Sequence, residues 1–146
     1  MKYIRKNGFI VLFMGMLLFS NSANAGEKTA VLSIFEKYGY KKGVIMLEAS
    51  KQLLKEYRIK LFKSIIIEDG TAALPEIRAC IEKDKVNAVK AKEIMQENEL
   101  ISGFYRLKTN DPDMNRFLIF NVQDKKTTLI YVEGALSTEE LVKLLK

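Results

Sequence analysis

The chain has 146 residues, with 24 basic and 18 acidic side chains, a single cysteine, no tryptophan and no histidine. Without histidine it can build neither a Ser-His-Asp nor a Cys-His site, and it lacks the commonest zinc ligand. Cys80 alone can form no internal disulfide, so an apolar core must hold the fold.

Lys2, Arg5 and Lys6 open the chain, an apolar run follows over Phe9 to Phe19, and Ala23-Asn24-Ala25 precedes the charged Glu27 and Lys28. That order is the pattern of a secretory signal peptide cleaved between Ala25 and Gly26. The run is short of the roughly 20 residues that an anchor helix needs. No cysteine follows the cleavage point to carry a lipid. Residues 1–25 are therefore expected to be a signal, and 26–146 a single domain that is exported, periplasmic or secreted, without a transmembrane span. Three of the 24 basic residues lie in the signal and none of the 18 acidic ones does, which leaves 21 against 18, a net +3. Such a surface is no footprint for nucleic acid.

Val31, Ile34, Phe35 and Tyr38 predict a helix that Gly39 ends. Val44-Ile45-Met46-Leu47 reads as a short strand, and Ser50 as the cap of a helix over 51–57. Ile59 to Ile67 is rich in β-branched residues and runs into the turn Glu68-Asp69-Gly70. Leu74, Ile77 and Ile81 line a helix over about 72–85, with Pro75 in its first turn. Residues 86–98 fit either a helix or the first arm of a hairpin turning at Glu97-Asn98, with the hairpin favoured. Alternation is plain over 100–107, and Asn110 to Asp113 is a turn. Strands over 116–122 and 128–133 form a second hairpin across Asp124-Lys125-Lys126. Ser137-Thr138-Glu139-Glu140 is a capping box ahead of the Leu141, Leu144 and Leu145 stripe. The sum is an α+β domain, a largely antiparallel sheet with helices packed on one face.

Chemistry-bearing residues are few. Cys80 follows Ile77 and precedes Ile81, beside acidic residues at 76 and 84, and reads as a packed, unreactive thiol. Arg106 and Lys108 share a strand face, and a hairpin would bring Arg116 beside them as a strip for an anion or a partner, against the plainer reading of a solvated sheet face. Lys83-Asp84-Lys85, Lys90 and Lys92 carry mixed signs and read as solvated surface. Asp111, Asp113 and Asp124 lack the spacing of a calcium loop. No spacing points to a catalytic residue, a metal set or a cofactor.

Five short segments stand out together: Lys37-Tyr38-Gly39, Lys42-Gly43-Val44, Ile101-Ser102-Gly103-Phe104-Tyr105, Asn115-Arg116-Phe117, and Thr128 through Gly134. With the signal and the leucine-rich end, they resemble small exported proteins of unknown function from Gram-negative gut anaerobes. The resemblance implies an exported, periplasmic or envelope-associated protein, and it carries over no site residues.

The leading expectation is thus a non-catalytic exported domain that acts through contacts with a protein or an envelope component. Two alternatives stand beside it. One is a periplasmic binding module for a small or lipidic ligand, which needs a concave apolar pocket. The other is a histidine-free hydrolase, which needs two facing carboxylates.

Overall fold

The computed structural model describes residues 29–146. The cleavage pattern at Ala23, Ala25 and Gly26 lies outside the described residues. In chain order the elements are α1 (Leu32–Tyr38), β1 (Val44–Leu47), α2 (Lys51–Glu56), β2 (Ile59–Ile67), α3 (Leu74–Asp84), β3 (Ala88–Gln96), β4 (Glu99–Leu107), β5 (Asn115–Gln123), β6 (Lys126–Gly134) and α4 (Thr138–Leu145). One sheet takes all six strands in the order β1-β2-β6-β5-β4-β3, and every neighbouring pair is antiparallel.

Local chemistry sets the boundaries. The Ser50 hydroxyl accepts the Leu53 N–H and starts α2. The capping box of α4 is complete: Ser137 accepts the Glu140 N–H, and the Glu140 carboxylate accepts the Ser137 N–H. Residues 88–107 form the favoured hairpin, and its first strand begins at Ala88 after a single 3-10 turn, Lys85–Asn87. Its two-residue loop holds Glu97 and Asn98 at φ 51° and 66°, the left-handed pair whose twist matches the flanking strands. Gly134 has to be glycine, because a Cβ there would come within 2.7 Å of the Arg58 carbonyl oxygen and 2.8 Å of the Ile59 Cα, where β2 bulges between Ile59 and Leu61.

The helices divide between the two faces of the sheet. Ile34 and Phe35 of α1 and Ile77 and Ile81 of α3 pack with Ile65, Tyr105, Leu118, Phe120, Leu129 and Tyr131 on one face. Leu141 and Leu144 of α4 and Leu54 of α2 pack with Phe117, Ile119, Ile130 and Val132 on the other. The α+β class and the antiparallel sheet are as expected, but the grouping of all helices on one face is not. The cause lies in β5 and β6. Phe117-Leu118-Ile119-Phe120 and Leu129-Ile130-Tyr131-Val132 are apolar on both faces, so each face needs cover.

The cover is unequal. Leu118, Phe120, Leu129, Tyr131, Tyr105 and Ile65 are fully buried under α1 and α3. On the second face Phe117, Val132, Leu136 and Leu141 are fully buried, while Phe62, Phe104, Ile119 and Ile130 are partly exposed. α2 and α4 have only 6 and 8 residues and cannot roof six strands. We call the two sides the sealed face and the open face.

Candidate functional site

Arg116 does not join Arg106. Arg106 pairs with Phe117 and Leu107 with Arg116, and directly paired residues share a face, so Arg106 looks out of the open face while Arg116 turns into the sealed one. Arg116 is only 4% exposed. Its Nε and Nη2 donate to the Lys108 carbonyl oxygen at 3.0 and 2.8 Å, and its Nη1 donates to Thr29 Oγ1 at 2.7 Å and to the Tyr131 hydroxyl at 3.3 Å. The Tyr131 hydroxyl donates in turn to Glu133 at 2.5 Å. Burial, then the Glu133 carboxylate, pushes the Tyr131 hydroxyl up to about 12. Lys108 meets Arg116 through its backbone, and its side chain is exposed.

Asp84, which the charge pattern placed on a solvated surface, is buried beside this network. Its two carboxylate oxygens accept the N–H groups of Ala30 and Val31 at 2.7 and 2.9 Å and hold the chain leading into α1. Burial raises its pKa, and the two amides and the Arg116 charge pull the other way. The cluster of Thr29, Asp84, Arg116 and Tyr131 thus fastens the start of the described chain to the sheet. Its buried donors are satisfied within it, as a structural network requires.

The open face carries a basic strip in which Arg106 is joined by Lys90 and Lys92 in place of Lys108 and Arg116. Strand pairing sets three rows across it. The first runs Phe62, Val132, Phe117, Arg106, Lys90; the second Leu47, Ser64, Ile130, Ile119, Phe104, Lys92; the third Ile45, Ile66, Thr128, Asn121, Ser102, Ile94. Apolar groups stay in solvent along it: Leu47 is 50% exposed, Ile45 46% and Ile94 59%. At the β3 end, Lys90, Lys92, Phe104, Thr138 and Val142 line a groove of about 280 Å³ between α4 and the sheet. Phe104, which lines it, lies 6.0 Å from the fully buried Phe117 ring, tilted 46°. Arg106 stands in the row between Lys90 and Phe117 and is half-buried. Lys90 and Lys92 had a sequence signal, alternate spacing on one strand, but the mixed charges around them hid it.

A second hollow, of about 270 Å³, opens at the other side of the β3–β4 hairpin. Its charges are matched internally: Arg78 pairs with Glu99, and Lys85 with both Glu82 and Glu93. Glu93 also accepts the Tyr105 hydroxyl at 2.6 Å. Cys80 packs partly buried against the sealed core, and burial pushes its thiol up, away from the reactive thiolate. Among the described residues no three His, Cys, Asp or Glu side chains are grouped to hold a metal ion, and no helix is long and apolar enough to cross a membrane.

A search of curated proteins and a search of solved structures each return no match. A family model, described as a family of unknown function, matches residues 18–145, nearly the whole chain. The chain belongs to that family, DUF6108.

Proposed function

We propose that the protein is an exported, non-catalytic domain that works through contact with a protein or an envelope component, and that the open face of its sheet makes the contact. The observation that carries this reading is the inequality of the two faces. One sheet, built from the same strands, buries the residues at its centre completely under α1 and α3, with Met95 exposed only at the β3 edge of that face, yet leaves Ile45, Leu47 and Ile94 about half exposed on the side of α2 and α4. Contiguous exposed apolar surface marks interaction sites, and Ile45 and Leu47 stand together on β1, with Ile94 on the same face at the opposite edge. The polar clusters of the sealed side, Arg116 with Thr29 and Tyr131 and Asp84 with the amides of Ala30 and Val31, are occupied in holding the chain together. Export is supported by the basic, apolar and small-residue order of the first 25 residues.

The test is fractionation of cells expressing the full chain, with N-terminal sequencing of the product. The product should begin at Gly26 and sediment with the envelope, and the Ile45→Lys/Leu47→Lys variant should leave the envelope while melting like wild type. An uncleaved chain retained in the cytoplasm, or a variant as firmly envelope-bound as wild type, would overturn the reading.

A further inference from the structure

We infer that the groove between α4 and the β3–β4 edge is a binding site for a single-chain carboxylate amphiphile, a molecule with one acidic head and one short apolar tail. This rests on the open face being the working surface, and it names a ligand for one end of that face.

Charge is the first ground. Lys90, Lys92 and Arg106 project from adjacent positions of β3 and β4 on one face. Among the described residues none of the three forms an ion pair, although Lys37, Arg58, Arg78 and Lys85 do. Arg106 is also half-buried and makes no side-chain hydrogen bond among the described residues, which distinguishes it from Arg116 with its four. Three close, unneutralised cations, one of them partly desolvated, favour an anion. The planar guanidinium suits a carboxylate held by two parallel N–H bonds.

The second ground is what lies next to those charges. Phe104 and Val142 form an apolar wall, and Val142 is 42% exposed although it belongs to the helix that should be covering the sheet. A head group at Lys90 and Lys92, which line the groove, with Arg106 next to them as Lys90's strand partner, would place its tail between Phe104 and Val142, where it takes over apolar surface now in water.

Size and shape decide between sources. About 280 Å³ is at or below the low end of the volumes that hold drug-sized ligands, so the groove takes one short tail rather than the paired chains of a phospholipid. The site is concave, walled by α4, and a flat bilayer would reach the two lysines without reaching Phe104. An acidic peptide laid along β3 would meet a bulge in that strand at Val89, beside the first of the two lysines, which disturbs continuous pairing.

Octanoate is the probe, titrated against the mature protein by calorimetry and by amide chemical shifts. Octanol supplies the tail without the charge, acetate the head without the tail, and anionic phospholipid vesicles the competing source. Octanoate should bind, shift the amides of Lys92, Phe104 and Val142, and bind at least tenfold tighter than octanol or acetate. Arg106→Gln and the Lys90→Gln/Lys92→Gln pair should each weaken it about tenfold without lowering the melting temperature. Val142→Asp should abolish it, with circular dichroism confirming that α4 persists. Equal binding of octanol, saturable binding of vesicles without octanoate, or shifts confined to other residues would overturn the site. Envelope association is read on variants at β1, at the far edge of the sheet, so a failure here leaves that reading standing.

Discussion

The sealed and open faces share six strands, yet the first is a closed core and the second is only partly covered. On the sealed face the residues of β5 and β6 disappear under two helices, and the gaps around them are filled by polar groups that bond one another, Arg116 with Tyr131 and Asp84 with the chain entering α1. On the open face α4 buries a patch around Phe117, Val132 and Leu141, and solvent reaches the rest. The difference shows that an apolar strand residue reports burial only together with the helix above it. Phe120 and Ile119 are neighbours in sequence and equally apolar, but only Phe120 is sealed.

Mutations can break this contrast. The largest loss is expected from Phe35→Ala, which empties a fully buried position between α1 and the sheet and should cost about 3–5 kcal/mol in a urea titration. If the loss is under about 1 kcal/mol, α1 is not part of the core. Arg116→Met comes next. It leaves the Lys108 carbonyl without its two donors and loosens Thr29, and should cost about 2–4 kcal/mol by the same measurement.

Alkaline pH probes the sealed face without a cavity. Tyr131 is held protonated to about 12 in the folded chain, so stability tied to it is complete below pH 10 and is lost as pH rises from 10 to 12. The loss across that window should be about 2–3 kcal/mol greater in wild type than in Tyr131→Phe. Parallel curves would mean that the hydroxyl is not shielded. The smallest effect is expected at Cys80, where alanine should cost less than about 1 kcal/mol and the native thiol should react with a thiol reagent only after unfolding.

Much of the fold could be read in the sequence because its signals are local. The Ser50 cap, the Ser137–Glu140 capping box and the Glu97-Asn98 turn are each set by a few adjacent residues, and each is present. Which face a helix covers is a different kind of fact. It depends on strand order and register, and the apolar runs over 117–120 and 129–132 carry no alternation from which to read it. The same gap misplaced the basic strip. Arg106 and Lys108 were grouped by spacing, but the partner was decided by pairing across β3–β4 and β4–β5, which brings Lys90 beside Arg106 and turns Arg116 inward. Asp84 was hidden for a further reason: its partners are backbone N–H groups at positions 30 and 31, which no charge pattern marks.

The most direct test of the two-face account uses one strand. Phe120→Ala and Ile119→Ala remove adjacent apolar side chains of β5 that point to opposite faces, and equilibrium urea unfolding of the two variants against wild type measures what each face contributes. The account predicts a loss of about 3–5 kcal/mol at Phe120 and less than about 1.5 kcal/mol at Ile119. Equal losses, or a larger one at Ile119, would mean that both faces are core, and the assignment of the open face to contact would fail.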